Sequence, residues 1–156
     1  MPYAIVLYFD ERSEYSIQEI WKKISDNGIP NEIHGAGIRP HITLAIYDEL
    51  LCQPCDNELA RFASKTTHLN ISFSHLGIFT NPETVLFLAP TPTRELVNFH
   101  SKVHECLSTE ARQPWEFYQP GKWGPHCTVA LDLDQEQLHE AISLCADRHF
   151  PMNLHA

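Results

Sequence analysis

Residues 39–45, Arg-Pro-His-Ile-Thr-Leu-Ala, return at 124–130 as Gly-Pro-His-Cys-Thr-Val-Ala. Independent placement in a chain of this composition gives about 0.04 occurrences of Pro-His-x-Thr, so two copies mark a repeated element rather than coincidence. Both copies alternate polar and apolar side chains, which is the period of a β-strand. His41 and Thr43 then share one strand face with Ile42 and Leu44 behind them, and His126 and Thr128 share another with Cys127 and Val129 behind.

Outward from these strands the pattern alternates strand and helix. Tyr3 to Phe9 is β-branched and aromatic and reads as a strand. Ser16 with Glu19 forms a capping box for a helix that carries Ile17, Ile20, Trp21 and Ile24 on one stripe and stops at Gly28. His41 to Tyr47 is the first motif strand, Asp56 to Lys65 a helix, and Leu69 to Phe79 and Glu83 to Ala89 two strands joined by a turn at Asn81-Pro82. Thr93 caps a helix with Leu96, Phe99, Val103 and Leu107 on its apolar side, followed by a loop that holds Pro114 and Pro120. His126 to Leu131 is the second motif strand, Asp134 starts a last helix with Leu138, Ile142 and Cys145, and a strand begins at Pro151.

The order strand, helix, Pro-His strand, helix, strand occurs twice. One domain over 1–156 is expected, with a lobe from each half, about 1–80 and 81–156. The spacing of the first half places the counterpart of the Leu69 to Phe79 strand at Leu154, two residues before the chain stops, so that strand is expected to be missing, shortened or supplied by another subunit.

Composition narrows the partners. A formal charge of −9, from 11 Lys and Arg against 20 Asp and Glu, argues against a long nucleic-acid duplex and for a small nucleotide or a strand end held locally. Five cysteines without an even framework fit reduced thiols, and no apolar run reaches the roughly 20 residues of a membrane span. A soluble cytoplasmic monomer is the expectation.

Two imidazoles that titrate near neutrality can serve as base and acid, while two threonine hydroxyls can donate to the non-bridging oxygens of a phosphoryl group. Such a site needs neither metal nor other cofactor. With Pro-His-Ile-Thr-Leu-Ala, the segment Tyr118 to Ala130 (YQPGKWGPHCTVA) and the bilobal order of elements, nearly the whole chain resembles the 2H phosphoesterase superfamily, in its 2′-5′ RNA ligase and cyclic phosphodiesterase branch. The resemblance implies an α+β fold of two pseudo-symmetric lobes, duplicated βαβαβ-type units whose antiparallel sheets face a central cleft. It implies hydrolysis of 2′,3′-cyclic phosphates on nucleotides or RNA ends, commonly to a 2′-phosphate, or of related cyclic and 2′-5′ linkages. The catalytic roles carry over to His41, Thr43, His126 and Thr128, with His126 as base and His41 as acid by analogy.

Other residues are candidates around that core. Arg39, two residues before His41, either meets a phosphate in the cleft or is a solvated arginine, and Lys122 has a weaker claim of the same kind. Phe79, Tyr118 and Trp123 either stack on a base or pack at the rim. His100 and His104 stand at metal-ligand spacing without a Glu between them, and Cys52 and Cys55 form a lone Cys-x-x-Cys read as surface thiols. Two rivals remain open: a nucleotide- or RNA-end-binding protein without turnover, and a metal-dependent hydrolase that uses the extra histidines.

Overall fold

The structure, a computed structural model, describes residues 1–156 apart from His34, Asn81, Pro82, 147–149 and the side chain of Cys52, so the turn expected at Asn81-Pro82 lies outside the described residues. The elements run β1 (Tyr3–Tyr8), α1 (Glu11–Asp26), β2 (His41–Leu50), α2 (Cys52–Ala63), β3 (Asn70–Phe79), β4 (Val85–Pro90), α3 (Arg94–Cys106), β5 (Ala111–Pro114), a 3-10 turn at Glu116–Tyr118, β6 (Cys127–Leu131), α4 (Gln135–Ala146) and β7 (Met152–His155). The fold is α+β, with one sheet ordered β1-β2-β5 and another ordered β6-β4-β3-β7. Among the described residues no helix is long and apolar enough to cross a membrane.

The chain forms two compact units. The first comprises Met1–Leu7, Thr43–Leu69 and Pro92–Pro125, and the second Tyr8–Ile42, Asn70–Thr91 and His126–Ala156. The units are therefore not the sequence halves about 1–80 and 81–156. The reason is pairing: β3, from the first half, is bonded to β4 and β7, and the apolar stripe of α1 packs on α4 and β6.

In the first unit, α2 and α3 pack together and shelter a core of Leu44, Ala45, Tyr47, Cys55, Val103, Leu107 and Ala111. Cys55, expected as a surface thiol, is fully buried in α2, where burial of a small apolar side chain outweighs the loss of hydration. β5, which falls in the expected loop, is a short strand paired antiparallel with β2 through Tyr47↔Pro114, Glu49↔Arg112 and Leu50↔Ala111. Proline is tolerated there because its missing N–H sits at a strand end.

In the second unit, Ile17, Ile20, Trp21 and Ile24 of α1 are buried, each side chain contributing roughly 1.5–3 kcal/mol. The helix starts earlier than the capping box at Ser16 implied. Asp10 is the cap, its carboxylate accepting from the Ser13 backbone N–H at 2.8 Å, and Ser16 lies inside the helix with its hydroxyl donating back to the Arg12 carbonyl. Gly28 follows the helix at φ +82, a conformation side chains resist. Thr93 caps α3 as expected, and Asp134 and Gln137 cap α4 reciprocally at 2.8 and 3.0 Å. The counterpart of β3 is filled by the chain's own residues: β7, four residues against ten in β3, pairs with it from Asn70↔His155 to Phe73↔Met152.

Candidate active site

His41 opens β2, and the burial along that strand alternates as the motif requires: His41 and Thr43 are half-buried, Ile42 and Leu44 buried. β6 repeats this with half-buried Thr128 between the fully buried Cys127 and Val129. His126 precedes β6 by one residue. His41, His126 and Thr128 belong to the second unit, and Thr43, two residues along β2, belongs to the first.

Within the second unit the two motif copies touch. The backbone of His41 hydrogen-bonds the thiol of Cys127, although burial is the larger effect on that thiol and pushes it up to about 12. His41 and Thr128 line one cavity of about 190 Å³ whose other walls are Trp21, Ile33, Ile38 and Leu131. The cavity thus offers an imidazole and a hydroxyl against apolar surroundings, where polar interactions strengthen because water is scarce. A larger cavity of about 440 Å³ opens in the first unit beside Phe62, Lys65, Phe99 and Lys102, but none of the four motif residues lines it.

The strand backbones are held by side chains from outside the two motifs. Trp21 Nε1 donates to the Thr128 carbonyl at 3.1 Å, and Asn31 Nδ2 to the Val129 carbonyl at 3.0 Å. In the first unit Trp123 Nε1 donates to the Thr43 carbonyl at 2.9 Å. His41 Nδ1 donates to the Arg39 carbonyl at 2.8 Å, which puts the proton of the neutral ring on Nδ1 and leaves Nε2 as the nitrogen able to take or give one.

His126 stands against two aromatic rings. Phe79 meets it edge-on at 5.0 Å and Phe87 at 5.5 Å, and the two phenyl rings stack on each other at 4.4 Å. Phe87 was not singled out by sequence reasoning. Its signal was Gly77, the residue facing it across β3 and β4, where a Cβ would come within 2.3 Å of the Phe87 ring. Phe79 remains 40 % exposed, so part of its surface is open to solvent.

The remaining candidates are otherwise engaged. Arg39 precedes β2; its guanidinium lies 4.2 Å over the Tyr8 ring and donates to Glu14 at 2.8 Å from Nε. Lys122 pairs with Glu116 at 2.6 Å. Trp123 has one face stacked on His100 at 4.0 Å with the rings nearly parallel, and Tyr118 is half-buried with its carbonyl accepting from His100 Nε2 at 2.9 Å. Burial, with His104 next, lowers His100 to about 4, and burial also lowers His104, whose ring bridges the Tyr47 hydroxyl at 2.8 Å and the Leu44 carbonyl at 3.3 Å. Both extra histidines thus brace the first unit. No group of three or more metal-ligating side chains occurs among the described residues.

The family model of the 2′-5′ RNA ligase superfamily matches residues 9–155. Among solved structures, Usb1 of Kluyveromyces marxianus is 13% identical, with a TM-score of 0.46 over 92% of this chain and 80% of that one. The same protein with uridine monophosphate is 12% identical, with a TM-score of 0.47 over 94% and 82%. No curated protein matches. With the match running through both Pro-His-x-Thr strands and almost the whole chain, the protein belongs to the 2′-5′ RNA ligase superfamily.

Proposed function

We propose that this protein is a metal-independent phosphodiesterase that opens 2′,3′-cyclic phosphates on a nucleotide or RNA end, leaving a phosphomonoester, the 2′-phosphate. The observation that carries the reading is that His41 and Thr128, one residue from each motif copy, line the same cavity. In the proposed step His126 takes a proton from water as its oxygen bonds to phosphorus. The bond from phosphorus to the 3′ oxygen breaks, and His41, entering the step as the imidazolium, gives its Nε2 proton to that oxygen and is left as the neutral Nδ1–H ring. Thr43 and Thr128 hold the non-bridging oxygens, where negative charge gathers. The exposed side of Phe79, beside His126, is the proposed platform for a base.

General acid and base catalysis contributes about 10² to 10⁴ each in rate. The test is a panel of 2′,3′-cyclic mononucleotides, RNA ends with a cyclic phosphate, 2′-5′ oligonucleotides and ADP-ribose cyclic phosphate, incubated with excess chelator. A 2′-phosphomonoester formed from the cyclic substrates, and lost in His41→Ala and His126→Ala, supports the proposal. Tight binding with no product, or turnover that chelator abolishes and metal restores, overturns it.

A further inference from the structure

We propose that Glu14 is a positioning residue for His41, acting through the Arg39 side chain and the Tyr8 ring; this rests on the reading of His41 as a proton-transfer residue. Sequence spacing offered Arg39 as a phosphate ligand, and its charge is turned elsewhere. Both Nε and Nη2 donate to one oxygen of Glu14, at 2.8 and 2.5 Å, and the guanidinium carbon stands 4.2 Å above the centre of Tyr8. The Glu14 side chain is only 12% exposed, so its carboxylate is shielded from competing water.

This clamp fixes residue 39 from the side-chain end. The main chain is fixed from the other end by Pro40, fully buried, whose ring restricts the residue before it to extended geometry. Between these constraints sits the Arg39 carbonyl, which accepts from His41 Nδ1 at 2.8 Å. The same Tyr8 that carries the guanidinium meets the imidazole edge-on, with centroids 6.3 Å apart and planes at 78°. Glu14, Arg39, Tyr8 and His41 therefore form one connected set within the second unit. Its chemical effect is to keep the proton of the neutral ring on Nδ1 and to point Nε2 at the reacting group.

The test uses the full chain, in the wild type, Glu14→Gln, Tyr8→Leu and Arg39→Met, each first checked for folding by its thermal transition. The tautomer of His41 is read from long-range proton–nitrogen correlation spectra without substrate. The wild type is expected to show the Nδ1–H form, and the variants a mixture with at least a twofold rise in the Nε2–H form. With a turned-over substrate, kcat should fall about tenfold in Glu14→Gln with KM within twofold, and the limb of the pH–rate profile set by His41 should shift. An unchanged tautomer in Glu14→Gln reduces the clamp to an ordinary ion pair. A large rise in KM in Arg39→Met, with Glu14→Gln at wild-type kcat, assigns Arg39 to the phosphate instead. Because the spectra need no turnover, an inactive wild type with the expected tautomer shifts would defeat the proposed function and leave the clamp standing.

Discussion

The indole Nε1 of Trp21 donates to the carbonyl oxygen of Thr128 across 3.1 Å. Trp123 does the same for Thr43 at 2.9 Å, so an indole holds the backbone of each motif threonine. A carbonyl held this way limits rotation of the strand at the residue whose hydroxyl faces the phosphate in the proposed reaction.

Replacing Trp21 with Phe keeps most of the apolar volume and removes the donor. A part-buried carbonyl deprived of its partner costs about 1–3 kcal/mol, so Trp21→Phe should lower the unfolding free energy by that much and reduce kcat more than KM. Denaturation curves beside steady-state kinetics check this; a loss of stability with kcat intact would confine the contact to folding.

Gly77 faces Phe87 across β3 and β4, and a Cβ there would meet the Phe87 ring at 2.3 Å. Gly77→Ala should displace the ring, cost about 1–3 kcal/mol and loosen the Phe79–His126 contact. Adding Phe87→Leu should recover part of the stability but not the ring contact. A double-mutant cycle read by thermal unfolding measures the coupling.

His100, buried against Trp123 and His104, is held to about 4. Its folded value lies below the roughly 6.5 of an unfolded histidine, so on acidification the unfolded chain binds the proton first. The contribution is complete above about pH 6.5 and falls as pH drops from there to about 4, by up to about 3 kcal/mol. Unfolding free energies from pH 7 to pH 4 should show this slope, and His100→Gln should flatten it.

Thr43→Ala and Thr128→Ala should retain more activity than either His→Ala variant, because each hydroxyl is one of two proposed donors to the anion while each imidazole has no substitute for its proton step. The ratio of kcat/KM values across the four variants checks the order. The wild-type profile of rate against pH should be bell-shaped.

Much of this was written in local pattern. The alternation of His41, Ile42, Thr43 and Leu44 required a strand with one polar face, and Thr93 required a helix start, because those choices depend on neighbours a few residues away. The start of α1 was misplaced by position: Ser16 and Glu19 satisfy the capping pattern, but Asp10 reaches the Ser13 N–H first. β5 gave no local sign, since four residues ending in proline become a strand only by pairing with β2.

The identities and spacing of His41, Thr43, His126 and Thr128, the helix stripes and the order of elements follow from the chain alone, because side-chain chemistry and backbone period are properties of consecutive residues. Which unit each element joins, the turn of Arg39 towards Glu14 and Tyr8, the Phe79–Phe87 pair at His126 and the bracing roles of His100, His104, Trp21 and Trp123 were decided by the fold. These depend on contacts between residues far apart in sequence, whose energies exist only once packing has excluded water and set the distances.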